Sequence, residues 1–466
     1  MVPMNAQSQP NPIIRLVLGL LLALSAFTAV NAQGVPPPCV PDPANEDAVL
    51  EWNCRAIKYA LSPTFGGALR QIRAMALVQL AVSNAVNGIT REYETYNRDG
   101  SNVPPANANV DAAAIGAAYQ SLYAILTPAQ RIQLDAELAA SRAARGIPSD
   151  DLSLAYGIGE GQNVVNFRTG DGSGPEAQCP WDYPMFSRRS PLELYGVPGD
   201  WRRVLNVETG VTPLPATPCW ANVPTFVLLS ADQFSIEDPP LPTDALYTKD
   251  YIEVKALGGQ NVDTQRQAWQ SRIADFWDGP PIGITNQAIR QAAAAQNLSL
   301  GAESRGLAMV YLAGVDASIA CWFHKYDKLF WRPETAVNQA ATDGNPDTEP
   351  LPGGQYWKPY IFPSHPHPEY PSGHSTNSGA MFSAAAFVFG DKPGVTMMPT
   401  IIRNGITVTR EWESFGEAID EVVDARVYSG LHFRFTDERS ANLGRRIAHF
   451  VYTHALRRCT KGNKCG

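Results

Sequence analysis

The segment ALRQIRAMALVQLAVSNAV, residues 68–86, places Leu69, Ile72, Met75, Ala76, Leu80 and Val82 close to a 3.6-residue period. Side chains so spaced share one face of a helix, so the spacing predicts an amphipathic helix here. Val110 to Leu126, Pro128 to Arg145 and Ser149 to Phe167 continue the pattern, with Thr127-Pro128 and Ser149-Asp150 reading as helix starts. Helical patterns resume at Lys249 to Leu257, Thr264 to Phe276, Asn286 to Gln296 and Gly301 to about Trp331. The last ones run from about His374 to Phe389, Glu411 to Tyr428 and Asp437 to Leu456. Alternating strand patterns are scarce. The chain therefore reads as all-α, built of antiparallel helical bundles with long loops rich in proline and aromatic residues.

The loops divide the chain. Residues 1–32 read as a signal peptide: Arg15 precedes a charge-free run from Leu16 to Val30, and Val30-Asn31-Ala32 resembles a small-residue cleavage site. Residues 33–168 form an N-terminal helical region that begins with an irregular proline-rich arm, Pro36 to Pro43. Residues 169–243 are dense in glycine, proline and aromatics and hold no period, which predicts a structured excursion over the mouth of a pocket. Residues 244–466 form the bundle expected to carry the chemistry. No stretch after the leader reads as a stable membrane span, and the expected location is outside the cell or in the periplasm.

Export gives the seven cysteines a meaning, because disulfides persist in oxidising compartments. Cys39 with Cys54, Cys179 with Cys219 and Cys459 with Cys465 are plausible pairs, leaving Cys321 in a helical run as a buried thiol. Spacing alone leaves the connectivity open. The chain has 466 residues, 18% of them charged, and a net charge of −8, which argues against a nucleic-acid surface. An anion site would need a local cluster of cations.

Three short segments supply one. Lys325 and Arg332 lie seven residues apart, two helical turns, and Pro333 biases Arg332 out of the helix. Pro371-Ser372-Gly373-His374 opens a helix, where a hydroxyl, backbone N–H groups and the helix dipole favour an anion. In Arg426-Val-Tyr-Ser-Gly430-Leu-His432, Gly430 permits a break, so Arg426 and His432 need not share a helical face. Together they offer three cations, a hydroxyl, a helix-start amide and two imidazoles, which suits a tetrahedral oxyanion that becomes five-coordinate.

The order and spacing of these segments resemble the three-part signature shared by vanadium haloperoxidases and type-2 phosphatidic-acid-phosphatase-like acid phosphatases. The stretch His367-Pro-Glu-Tyr-Pro-Ser-Gly-His374 and others back to Trp220 resemble bacterial secreted haloperoxidase-type proteins. The resemblance implies a vanadate cofactor held by Lys325, Arg332, Ser372, Gly373 and Arg426. It implies His374 as acid/base and His432 as the vanadium ligand, with hydrogen peroxide, halide and an organic acceptor as partners. A phosphatase working through a phosphohistidine at His432 is the alternative, and a non-catalytic anion binder the third reading. His367, seven residues before His374, resembles the bromide-oxidising members and favours the peroxidase. Phe330 and Trp331 are expected to wall the halide or organic site.

Two departures stand out. Ala425 replaces a serine usual before the third-segment arginine, and Thr436 replaces an aspartate usual four residues after the last histidine. That aspartate orients the imidazole, so either Asp437 or Thr436 is expected to take over the role.

Overall fold

The computed structural model describes residues 34–97, 100–179, 197–260 and 264–460. The expected signal peptide and Cys465 lie outside them. Among the described residues there are thirteen α-helices and one two-stranded hairpin, so the chain is all-α.

A first bundle joins α1 (Ala48–Ala60), α2 (Ala68–Thr90), α3 (Val110–Ile125), α4 (Pro128–Ala144) and α5 (Leu152–Phe167). The first of these escaped the sequence reading. It starts at Asp47, whose carboxylate accepts the N–H of Val49 and Leu50. The start expected at Ser149 falls instead at Asp151, which accepts from Ser153 and Leu154. Helices α3 and α5 approach so closely that a Cβ on Gly157 would lie 2.0 Å from the Ala113 carbonyl oxygen.

The second bundle is organised around α9 (Leu300–Lys328), capped by Ser299. It packs against α2 of the first bundle and against α11 (Gly373–Phe389) and α13 (Arg434–His454) of its own. Between them in sequence come α6 (Ala245–Leu257), α7 (Ala268–Phe276), α8 (Pro281–Ala295), the short α10 (Pro333–Asn338) and α12 (Phe415–Tyr428). By length and composition α2 and α9 could each cross a membrane, contrary to the sequence reading. Their apolar surface is instead almost wholly buried against other helices. The hairpin β1 (Thr400–Arg403) and β2 (Ile406–Thr409) also went unread. Its signal was Asn404-Gly405, both at positive φ, flanked by β-branched residues.

Residues 169–243 contain only short 3-10 turns among those described. They are tied down at several places. Cys179 bonds Cys219. Asp316, fully buried on α9, accepts the backbone N–H groups of Phe226, Val227 and Leu228 at 2.6, 2.7 and 2.8 Å. The Trp201 N–H donates to the Leu329 carbonyl at 2.6 Å and the Trp331 N–H to the Gly199 carbonyl at 2.9 Å. Cys39 bonds Cys54, tying the proline arm to α1. Cys321 is free and buried, and Cys459 is disulfide-bonded.

The pair α11 and α13 holds the site together, because one carries the Ser372–His374 segment and the other begins just after His432. A Cβ on Gly444 would stand 2.3 Å from the Thr376 carbonyl oxygen, and one on Gly379 would stand 2.7 Å from that of Ala441. Gly to Ala in a helix interior ordinarily gains up to about 1 kcal/mol of propensity. Here the added methyl meets backbone and must push the helices apart, at about 1–3 kcal/mol. Gly444→Ala is therefore expected to lower the urea midpoint, measured by far-UV circular dichroism; a raised midpoint would mean the helices part easily.

Candidate active site

The long helix α9 does not carry both cations on one face. It stops at Lys328, Leu329 turns left-handed at φ 50°, and Arg332 sits in extended backbone as the N-cap of α10. Arg332 thus reaches the site from a loop, while Lys325 reaches it from the last turn of the helix. Gly430, at φ 75°, breaks the chain after α12, so Arg426 and His432 arrive from different elements, as the sequence suggested. A side chain at 430 would also strike the Gly258 carbonyl.

The three cations are fully buried. The Lys325 ammonium donates to the carbonyls of Pro368 at 2.8 Å and Glu369 at 3.1 Å, and also to that of Pro371. It braces the loop before Ser372, and burial lowers its pKa to about 7. Arg332 donates to the carbonyls of His367 and Leu431 and meets His367 Nδ1 at 3.0 Å and His432 Nε2 at 3.3 Å. Arg426 donates through Nη1 to the Trp277 carbonyl at 3.3 Å, while its Nε and Nη2 are buried with no partner. A guanidinium with two unsatisfied buried nitrogens is costly unless something accepts from it.

The histidines lie in front of these cations. His365, His367, His374 and His432 all line a cavity of about 450 Å³. Ser372 caps α11 through the N–H of Ser375, and Gly373 and His374 open that helix onto the cavity. His365, which the sequence reading passed over, stacks between His367 (centroids 5.7 Å) and His374 (6.4 Å). The apolar wall is Trp220 and Trp322, faced by Leu69 and Ile72 of α2 and by Pro281 and Ile282 of α8. Phe330 and Trp331 are not part of it: Trp331 is buried against Tyr247, and Phe330 packs on Phe433 and Phe435.

Neither Thr436 nor Asp437 bonds His432. Asp437 instead accepts from the Ser375 hydroxyl at 2.7 Å. The partner of His432 Nδ1 is Glu369 Oε1 at 2.9 Å, and Thr436 donates to Glu369 Oε2 at 2.9 Å. Glu369 was unremarked in sequence because a carboxylate between prolines carries no period and no spacing to His432. The missing aspartate at 436 was the one available clue.

A family profile described as the VCPO second helical-bundle domain matches residues 305–461, which include all these cations and histidines. The chain is 25% identical over 270 residues to the vanadium chloroperoxidase of Curvularia inaequalis, covering 44% of this chain. It spans only 43% of the length of that relative. The structure of a bacterial vanadium-dependent iodoperoxidase superposes with a TM-score of 0.70 at 24% identity, over 91% of this chain and 100% of the other. A bacterial vanadium-dependent chloroperoxidase in its holo form gives 0.67 at 18% identity, over 89% and 98%. Residues 305–461 thus carry a helical-bundle domain of the vanadium chloroperoxidase type, and the chain shares its fold with bacterial vanadium haloperoxidases. The first bundle, outside the matched domain, contributes a wall of the cavity through Leu69 and Ile72.

Burial, reinforced by Arg332, Arg426 and Lys325, holds His365 down to about 3. Unfolded, its imidazole takes a proton near 6.5. Below that pH the unfolded chain binds a proton that the folded one does not, so His365 makes stability fall as pH drops from about 6.5. The buried carboxyls of Glu369 and Asp437, raised by burial to about 8 and about 7, act in the opposite sense. They cancel when two variants are compared. His365→Asn should therefore lose stability less steeply than the natural protein between pH 6.5 and 4.5, by up to about 1.4 kcal/mol per pH unit. Parallel slopes in urea titrations at the two pH values would contradict this.

Proposed function

We propose that the protein is a vanadate-dependent haloperoxidase that oxidises halide with hydrogen peroxide. The observation that carries this reading is Arg426, a fully buried guanidinium whose Nε and Nη2 lack any acceptor. An oxyanion with several equatorial oxygens supplies the missing acceptors. The residues present fit vanadate: Arg426, Arg332 and Lys325 would neutralise it, Ser372 and the Gly373 amide would add donors at the start of α11, and His432 would hold it. Bound vanadate supplies Lewis-acid polarisation of the peroxide, opening it to attack by halide.

The chain's own groups do the rest. His374, beside the cavity and held neutral by burial and the nearby cations, takes and returns the peroxide proton. His367, braced through Nδ1 by Arg332 and lying 5.2 Å from Trp322, stands where a halide would approach. The apolar walls exclude bulk water and leave space for a small organic acceptor. The charge-free run from Leu16 to Val30 supports export of the protein.

The experiment pairs vanadate titration with halide-dependent turnover on one preparation. His432→Ala and Arg426→Ala should each weaken vanadate binding by two orders of magnitude or more, whereas His374→Ala should chiefly cut turnover, by about 10²–10⁴-fold. Phosphate should compete with vanadate for the same cations. Tight vanadate binding that ignores phosphate, or halide turnover untouched by His374→Ala, would rule the assignment out. Phosphomonoester hydrolysis without halide turnover would point to the phosphatase instead.

A further inference from the structure

We infer that Glu369 is a positioning residue for His432, working with Thr436 to fix the tautomer that turns the Nε2 lone pair toward the cavity. This deepens the reading of His432 as the group that holds the anion and rests on it.

Two independent contacts place the proton. Glu369 Oε1 receives the N–H of Phe433 at 3.1 Å, and a backbone N–H can only donate, so Oε1 is an acceptor. The 2.9 Å contact between Oε1 and His432 Nδ1 is therefore an Nδ1–H donating to the carboxylate. On the other side of the ring, Arg332 Nη1 stands 3.3 Å from Nε2, and a guanidinium has no acceptor to offer. Both partners leave the hydrogen on Nδ1 and the lone pair on Nε2, on a ring that lines the cavity.

The carboxylate is itself held firmly. Glu369 is fully buried, its N–H donates to the Phe330 carbonyl at 2.9 Å and its carbonyl accepts from Lys325. Its second oxygen, Oε2, accepts the hydroxyl of Thr436 at 2.9 Å. Thr436 lies four residues beyond His432, where the resemblance to the wider family implies an aspartate. An aspartate there would set a second carboxylate against Oε2 in a buried site, where like charges are strongly unfavourable. Glu369 and Thr436 thus replace a single acidic side chain with a cross-chain pair: the carboxyl comes from the loop before Ser372, and the helix supplies the hydroxyl that steers it. This reverses the simplest expectation for position 436. Restoring an aspartate there is harmful while Glu369 remains.

The test needs no activity. In protein carrying ¹⁵N-labelled histidine, with His432→Asn used to assign the signal, His432 should show a protonated Nδ1 and a bare Nε2 without any anion present. Glu369→Ala should disturb that signal and weaken vanadate binding by about 10–100-fold, the usual effect of removing such a partner. Glu369→Gln keeps an acceptor oxygen and should keep the tautomer. Thr436→Asp alone should weaken vanadate binding, and Glu369→Ala combined with Thr436→Asp should recover most of what Glu369→Ala loses. A protonated Nε2 in the natural protein overturns the inference even if the Glu369 variants fail to fold. So does a Glu369→Ala protein with an unchanged His432 signal and unchanged vanadate affinity. A natural protein that binds neither vanadate nor phosphate would defeat the proposed function, while the histidine spectrum would still decide the role of Glu369.

Discussion

Burying three cations behind a cavity lined by four imidazoles is the constraint from which the rest of this structure follows. Ionised groups removed from water are tolerated only when hydrogen bonds replace the lost solvent. The protein meets that need largely with backbone. Lys325 is ringed by carbonyls of residues 368–371, Arg332 is held by those of His367 and Leu431, and Arg426 by that of Trp277. Carbonyls can face inward in this way only where the chain is not helical. The proline-rich loop before Ser372, the turn at Leu329 and the break at Gly430 therefore belong to the site as much as the side chains do. The bundle around them keeps these irregular segments at fixed separations.

The same cations set the state of the histidines. Each imidazole at the cavity is pushed toward its neutral form, first by burial and then by the positive charges behind it. Neutral rings can accept or donate at defined nitrogens, which is what a ligand and an acid/base group require. Glu369 is the one carboxylate in contact with a cavity histidine that the structure describes, and it meets His432 at Nδ1. Opposite the histidines, the wall is apolar and comes from far along the chain: Leu69 and Ile72 from the first bundle, Trp220 from the pinned excursion. Asp316 anchors that excursion to α9 through three backbone N–H groups, so the same helix that ends near the site also carries the clamp for its cover.

What the sequence determined by itself was local. Periodicity and capping residues placed most of the helices, because a helix is decided by side chains three and four residues apart and by one cap. The three charged segments were legible because each is short and internally spaced; in the structure Gly373, His374 and His432 line one cavity, and Arg332 meets His432 at 3.3 Å. The helix at 48–60 and the hairpin at 400–409 went unread although Asp47 and Asn404-Gly405 announced them. Where two helical turns were assumed between Lys325 and Arg332, tertiary packing imposed a left-handed turn at Leu329 instead. The tertiary structure alone decided three things: that Glu369 rather than Thr436 or Asp437 meets His432, that His365 joins the row of imidazoles, and that the wall is Trp322, Trp220 and α2 rather than Phe330 and Trp331. The first and last depend on segments tens to hundreds of residues apart meeting in space, and the second on how the proline-rich loop folds back on the start of α11. No spacing rule along the chain encodes such a meeting, since it is selected by which buried polar atoms find partners and which apolar faces close the core.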